Sequence, residues 1–304
     1  MPRRYRVVDV FAERRLAGNP LTVVIDGGGL STEEMQATAL EANHSETTFI
    51  TADRPNAKGW PVRIFTRGRE LPFAGHPTLG TAAVIMEAFG AKAPLTLDLK
   101  IGPIPVAKEG DLLWMRQKTP TFPGTYDSAK MAACLGLGKA DIDDRFPFTG
   151  ASTALPVYIV PLRSLKAANK ARLDLALFRK TLGTPDIEQV LVFAPETESP
   201  KAKLHVRCFT EAFGIAEDPA TGSANGSLAG WLSRNQYFGS PHVDIAVEQG
   251  IEIARPSMLH LRADGPPDAI QVEVGGRVVA VAEGVFVDDA PAVRTKRAVA
   301  APSR

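Results

Sequence analysis

Apolar, β-branched stretches in the first part of the chain predict strands. "YRVVDVF" at residues 5–11 and "LTVVID" at 21–26 have this character, and the Gly-Asn-Pro of "LAGNP" between them is turn chemistry. "ETTFIT" at 46–51 and "WPVRIFT" at 60–66 show the same pattern. We therefore predict strands in all four stretches, with a loop between the first two.

Two other stretches have the spacing of helices. "LSTEEMQATALEANH" at 30–44 places Ser31 or Thr32 ahead of two glutamates, which is a helix-start signal, and apolar residues then recur at helical spacing. "ELPFAGHPTLGTAAVIMEAFG" at 70–90 begins with Gly and Pro and continues with small and apolar residues. We interpret it as a loop that enters a buried helix. Alternating strands at 95–117 complete one α+β unit.

The second half of the chain repeats these features in the same order. "WPVRIFT" at 60–66 is matched by "LHVRCFT" at 204–210, and "ELPFAGHPTLGTAAVI" at 70–85 by "EDPATGSANGSLAGWL" at 217–232. Weaker matches join 19–25 to 155–161 and 47–50 to 190–193. We infer an internal duplication, with similar domains at residues 1–120 and 121–292 and a mobile basic tail at 293–304.

The repeated Gly-rich segments place a glycine at the start of each predicted helix, at Gly75 and Gly222. Helix starts attract anions, because their N–H groups are unpaired and the helix dipole is positive there. A pseudo-twofold axis would bring both starts to one cleft. Neither segment has the Walker lysine or GxGxxG, so a small carboxylate fits better than a nucleotide. A simple turn before each helix is the alternative.

Composition narrows the functional classes. The chain has 304 residues, 44% of them apolar, and a net charge of +1, which does not favour nucleic acid as a partner. No apolar run reaches the about 20 residues of a membrane span, so we predict no membrane partner and a cytoplasmic location. Cys134 and Cys208 form no CxxC and are expected to be buried thiols, and the five histidines have no metal-binding spacing.

Several of these motifs together resemble the phenazine biosynthesis PhzF-like family of the diaminopimelate epimerase superfamily. They are "DVFAERRLAGNPLTVV", "NHSETTF", "RIFTRGRELPFAGHPTLG", "GIAEDPATGSANGSLAG" and "EQGIEIARPS", and the resemblance spans about residues 5–286. It implies an α+β fold of two similar domains, each a barrel-like mixed sheet around a central helix, with the active site between them. It also implies a homodimer and no metal or organic cofactor.

The resemblance also implies the site residues. The glutamate of SETTF is the acid/base group, and a histidine and an aspartate assist it, while a serine and the helix starts hold the substrate. These positions correspond to Glu46; to His76 and Asp218; and to Ser45, Gly75, Gly222 and Ser223. The alternatives are that Glu46 is a solvated carboxylate and that His76 and Asp218 are structural groups at helix starts.

Superfamily relatives that racemise amino acids carry a thiol at each helix start. Here the residues that follow the two glycines are His76 and Ser223, so residue type argues against two-thiol chemistry. In the second copy, Gln189 takes the approximate place of Glu46, so only one half carries the carboxylate. That asymmetry favours a single base that shuttles a proton.

The implied activity is a cofactor-independent isomerase that moves a proton on a small, cyclic carboxylic acid, similar to trans-2,3-dihydro-3-hydroxyanthranilate isomerase. An epimerase or racemase of an amino or hydroxy acid, and a catalytically silent protein that binds small acids, are the alternatives. His44 departs from the family pattern, in which an apolar residue more often precedes Ser-Glu. It either affects substrate choice or faces solvent.

Overall fold

The computed structural model describes residues 2–182, 187–210 and 215–287. The predicted tail at 293–304 lies outside these ranges. Within them the chain forms 17 strands and six α-helices, and its fold is the expected α+β arrangement of two similar halves.

The strands are short and cover most of the chain. In order they are β1 (Arg3–Val10), β2 (Asn19–Val24), β3 (Glu46–Ile50), β4 (Trp60–Thr66), β5 (Glu70–Leu71), β6 (Leu95–Leu99), β7 (Gly102–Glu109), β8 (Leu112–Arg116), β9 (Thr149–Ala151), β10 (Val157–Pro161), β11 (Gln189–Ala194), β12 (Leu204–Thr210), β13 (Ile215–Asp218), β14 (Val243–Gln249), β15 (Ser257–Asp264), β16 (Gln271–Gly276) and β17 (Val278–Phe286).

The helices are α1 (Thr32–Ala42), α2 (Gly75–Phe89), α3 (Ser128–Cys134), α4 (Leu165–Lys170), α5 (Leu175–Thr181) and α6 (Gly222–Arg234), with a 3-10 turn at Lys139–Asp141. The predicted helix at 30–44 is α1. Its N-cap is Ser31, whose hydroxyl accepts from the backbone N–H of Glu34 while the Glu34 carboxylate accepts from that of Ser31. This reciprocal pair decides between the two predicted starts.

Each half surrounds one buried helix with strands. Helix α2 contacts β1, β2, β3, β6, β7, β8 and β17, and α6 contacts β9, β10, β14, β15 and β16. Nearly every residue of α6 is buried, which explains its small residues. At Gly226 and Gly230, an added Cβ would come within 3.0 Å of the side chains of Gln117 and Pro120. The segment that follows β8 therefore lies close against α6.

Strand register supports the duplication residue by residue. Leu21 of β2 lies beside Glu46 of β3 in a parallel pair, and Val157 of β10 lies beside Gln189 of β11 in the same way. The antiparallel neighbour of Thr47 is Phe65. In the second half, the neighbour of Val190 is Phe209. Gln189 therefore occupies the position in the second half that Glu46 occupies in the first.

Strands from the two ends of the chain join the halves. β17 pairs with β1, with Arg3 opposite Phe286, and contacts α2 in the first half. β8 pairs with β16, so the two sheets are continuous. The division between residues 120 and 121 stays a prediction. Cys134 and Cys208 are both buried free thiols, as expected.

The duplication also repeats an ion pair, in two different environments. In the first half the partly exposed Arg63 contacts Glu70, with Nε 2.8 Å from Oε1. In the second half Arg207 binds Glu217 through two hydrogen bonds of 2.9 and 2.7 Å, and only 2% of its surface is exposed. Its remaining nitrogen donates to the carbonyl of Ala168 at 2.7 Å. The buried copy therefore carries the larger structural role.

We expect Arg207→Ala to cost about 3–5 kcal/mol of the free energy of unfolding, because it leaves the Glu217 carboxylate without its buried partner. The matched change Arg63→Ala is expected to cost less than about 1 kcal/mol, since water replaces the lost partner. Urea unfolding of the two variants measures both values. Similar losses for the two variants would contradict the larger structural role of the buried Arg207–Glu217 pair.

Candidate active site

The starts of helices α2 and α6 meet at the centre of the molecule. A Cβ added to Gly75 would lie 3.1 Å from Gly222 Cα and 3.2 Å from Ser223 N, which is tight enough that the two helix starts would have to shift. The N-cap residues are Ala74 and Thr221, and neither provides a side-chain capping hydrogen bond. The two helix starts thus present N–H groups and positive dipole ends to one place.

A cavity of about 760 Å³ opens at this contact. All seven residues that the resemblance implies lie along its wall: Ser45, Glu46, Gly75, His76, Asp218, Gly222 and Ser223. These residues lie at or just before the start of β3, at the end of β13 and at the two helix starts. The fold therefore brings together residues that are far apart in sequence, and the cavity is large enough for a small organic acid.

Glu46 is the carboxylate at the start of β3. Its Oε2 atom is buried, has no hydrogen-bond partner and lies 3.4 Å from Nε2 of His76. Burial, and then the charge of Asp218, raise the pKa of Glu46 to about 7, while a hydrogen bond with Ser45 lowers it. A carboxyl group with this pKa is present in both protonation states near neutral pH, as a proton shuttle requires.

His76 is the second residue of α2 and is also buried. Burial, and then the charge of His44, lower the pKa of His76 to about 3. The imidazole is therefore neutral at neutral pH, and its contact with Glu46 is not an ion pair. Its Nε2 atom has no hydrogen-bond partner, which leaves it able to bind a ligand in the cavity.

Asp218 ends β13 on the other side of the cavity. Its carboxylate accepts hydrogen bonds from Asn19 Nδ2 at 3.0 Å and from Thr221 Oγ1 at 2.6 Å. Burial raises the pKa of Asp218, and these two hydrogen bonds oppose the shift. The hydrogen bonds hold the carboxylate in one orientation toward the cavity.

Sequence reasoning missed two residues that hold this site in place. Asn19 is fully buried and also donates to the carbonyl of Ala220 at 2.9 Å, so it ties β2 to the start of α6. Gln249 is equally buried and donates to the Asp218 carbonyl at 2.7 Å while accepting from Asn225 at 2.7 Å. Both residues lie in motifs of the family resemblance, but the Gly-Asn-Pro triplet suggested only a turn and the "EQGIEIARPS" motif suggested no role for Gln249.

His44 forms a 2.8 Å hydrogen bond with the hydroxyl of Thr22 and is half-buried. It is not part of the cavity wall formed by the described residues. Its ring therefore contacts the protein rather than only solvent, and its effect on substrate choice stays a prediction.

Across residues 2–182, 187–210 and 215–287, no group of three or more His, Cys, Asp or Glu side chains is placed to hold a metal ion. In the same ranges, the structure contains no helix with the length and apolar character needed to cross a membrane.

Known proteins with similar sequences and structures identify the family of this chain. The model of the phenazine biosynthesis-like protein family, PhzC-PhzF, matches residues 8–284. The chain belongs to the PhzF family. It is 38% identical to trans-2,3-dihydro-3-hydroxyanthranilate isomerase of Pseudomonas aeruginosa over 289 residues, which covers 92% of this chain and 98% of that protein. It is also 34% identical to an uncharacterized isomerase of Mesorhizobium japonicum, with 93% and 98% covered.

Solved structures show the same fold. The Bacillus anthracis PhzF-family protein superposes with a TM-score of 0.86 at 27% identity, over 95% of this chain and all of that one. A hydroxyproline epimerase from Agrobacterium vitis shares the fold alone, with a TM-score of 0.63 at 11% identity over 95% of this chain and 94% of that one. This PhzF-family chain is an isomerase.

Proposed function

We propose that this isomerase moves a proton on a small, cyclic carboxylic acid, with Glu46 as the single acid/base group. The observation that carries the proposal is the position of Glu46, whose buried carboxyl group lines the cavity at the two helix starts. The pKa of this carboxyl group is about 7. The related enzyme of Pseudomonas aeruginosa is named for such a substrate, trans-2,3-dihydro-3-hydroxyanthranilate.

The helix starts are suited to the substrate carboxylate. Gly75 and Gly222 begin the two helices without capping side chains, so their N–H groups and dipoles can hold an anion between them. These donors also stabilise the negative charge that develops when a nearby C–H bond breaks. In this proposal they bind the carboxylate and lower the barrier to proton removal.

Proton transfer then takes two steps on one face of the ring. The Glu46 carboxylate removes a proton from a ring carbon, and the electron pair of the C–H bond enters the conjugated system next to the substrate carboxylate. The double bond shifts, and protonated Glu46 returns the proton to a different carbon. Neutral His76, whose Nε2 atom lies 3.4 Å from Glu46, forms a hydrogen bond with the substrate close to the reacting carbon. Asp218, which Asn19 and Thr221 hold by hydrogen bonds, orients the substrate.

The asymmetry between the halves supports this one-base reaction over two-base epimerisation. The position that corresponds to Glu46 in the second half is Gln189, whose amide does not act as an acid or a base at neutral pH. The position that corresponds to His76 is Ser223. Inversion of a centre by two opposed bases would need a second acid/base group, and neither of these residues provides one. The Asp218 carboxylate also lines the cavity, but it is already engaged by hydrogen bonds from Asn19 and Thr221.

Proton exchange in deuterated water tests the proposal. The protein is incubated with trans-2,3-dihydro-3-hydroxyanthranilate and other cyclic carboxylic acids, and NMR follows deuterium incorporation and the position of the double bond. We expect a shifted double bond with deuterium at the new C–H position. Inversion of a centre without a double-bond shift would indicate an epimerase, and binding without any exchange would indicate a silent binding protein; either result would overturn the proposal.

The pH dependence follows from the pKa of Glu46. The reaction starts from the carboxylate form, so kcat/KM is expected to fall tenfold per pH unit below about pH 7, where Glu46 becomes protonated in the free enzyme. An initial-rate series from about pH 4 to pH 9 measures this limb. A limb near 4.5, the unshifted pKa of a glutamate, would show that the base does not have the raised pKa of Glu46.

The homodimer and the cytoplasmic location stay predictions. The first comes from the family resemblance and the second from the composition of the chain.

A further inference from the structure

Gln189 is part of the cavity wall and belongs to the second half of the chain. It begins β11, lines the cavity and has only 3% of its surface exposed. Side chains alternate along a strand, so Gln189 points to the same side as Leu191 and Phe193. The Phe193 ring packs on Trp231 of α6 with the ring centroids 5.6 Å apart. The Gln189 side chain therefore faces α6, as Glu46 faces α2 in the first half.

The Gln189 amide has no hydrogen-bond partner within residues 2–182, 187–210 and 215–287. Gln189 lines the cavity, and neither of its amide atoms is among the buried atoms without a partner, so the amide is accessible from the cavity. Gln249, the other buried glutamine near the site, differs, since it makes hydrogen bonds to Asp218, Thr221 and Asn225. The Gln189 amide is therefore free to form hydrogen bonds with a ligand in the cavity.

The chemistry of an amide limits what that ligand group can be. Its oxygen accepts and its nitrogen donates hydrogen bonds, and it carries no charge. A hydroxyl or amino group on the substrate satisfies it, while an alkyl or unsubstituted ring carbon does not. The substrate carboxylate is already placed at the two helix starts in the proposed function.

We propose that Gln189 is a specificity-determining residue, whose amide hydrogen-bonds a hydroxyl or amino substituent of the substrate from the second half of the protein. The duplication thus provides two different contacts at equivalent positions, a proton-transferring carboxyl and a substrate-reading amide. This inference rests on the proposed function, because it assumes that the acid binds in this cavity.

Binding of two aromatic acids tests the inference without requiring turnover. Benzoate carries only the carboxylate, and 3-hydroxyanthranilate adds an amino and a hydroxyl group. Isothermal titration measures both dissociation constants for the wild type, for Gln189→Leu, which keeps the approximate volume, and for Gln189→Met as a second variant. Leu155→Ala, at the exposed rim of the same cavity, is the matched control. Thermal melts identify the variants that fold.

We expect Gln189→Leu and Gln189→Met to weaken 3-hydroxyanthranilate about tenfold, the worth of one hydrogen bond whose partner is left unpaired. Benzoate binding should change less than about twofold, because its carboxylate lies at the helix starts. Leu155→Ala should affect the two acids equally. A loss of the same size for both acids in the Gln189 variants, or no loss for either, would overturn the role of Gln189 alone. A wild type that binds neither acid would overturn the proposed function and this inference together.

Discussion

Glu46→Gln is expected to lower kcat by about a hundredfold to ten-thousandfold, the usual contribution of a positioned acid/base group. The amide keeps the size of the side chain but cannot take up or return a proton, so the substrate should still bind. The affinity for 3-hydroxyanthranilate is therefore expected to stay within about threefold of the wild-type value, well below the effect on kcat. Deuterium exchange and isothermal titration on the same preparation measure the two quantities.

Glu188→Gln is the matched control for this change. Glu188 also lines the cavity but is exposed, so its conversion to an amide should leave kcat within about threefold. A Glu46→Gln protein that exchanges the substrate proton at the wild-type rate would remove Glu46 from the mechanism.

Stability gives an independent check on Glu46. Its folded-state pKa is raised from 4.5 to about 7, so the ionised form destabilises the folded protein. This cost is absent below about pH 4.5, grows as the pH rises and is complete above about pH 7. Glu46→Gln should therefore raise the free energy of unfolding at pH 8 by about 3 kcal/mol and leave it nearly unchanged at pH 4. Lost activity with gained stability would separate catalysis from misfolding.

Gly75→Ala is expected to lower kcat/KM by about tenfold to a hundredfold, because small displacements of reacting groups are costly. The new Cβ would lie 3.1 Å from Gly222 Cα and 3.2 Å from Ser223 N, and both of these are backbone atoms that cannot rotate away. The two helix starts must then move apart. The loss should appear in benzoate affinity as well, since this change disturbs the proposed carboxylate site directly.

Gly138→Ala is the control for the glycine substitution. Gly138 precedes the 3-10 turn, and the nearest atom to its added Cβ is an Asp141 carboxylate oxygen at 3.6 Å, an ordinary contact. It should leave kcat/KM and benzoate affinity unchanged. Full benzoate affinity in Gly75→Ala would show that the carboxylate binds elsewhere.

Local patterns predicted the main elements of the first half, whereas helices α3, α4 and α5 and strands β14 to β17 of the second half were not predicted. The apolar stretches at 46–51 and 60–66 became β3 and β4, and the Gly-rich segment at 70–90 became the loop and helix α2. Strand and helix patterns depend on residues that are neighbours in the sequence, so they can be recognised from the sequence alone. The duplication needed only a comparison of the chain with itself, and strand register then placed Gln189 opposite Val157 as Glu46 lies opposite Leu21.

The electrostatics of the site could not be predicted in the same way. The pKa of Glu46 depends on burial and on Asp218, which is distant in sequence and reaches the cavity only through the fold. The hydrogen bond from Asn19 to Asp218 joins the start of β2 to the end of β13 in the other half, and a turn triplet gives no indication of it. Long-range pairs of this kind depend on the packing of both halves, which no local pattern records.

The pairing of β1 with β17 brings the two ends of the described chain side by side, with Arg3 opposite Phe286. A fragment that stops at residue 120 would lack the strand that covers one side of α2, so we expect the halves to unfold in a single cooperative transition. Because the two ends lie close together, the chain is also suited to circular permutation. A short linker between the ends and new termini at the exposed turn around Gly110 would leave both central helices and the cavity between them unchanged.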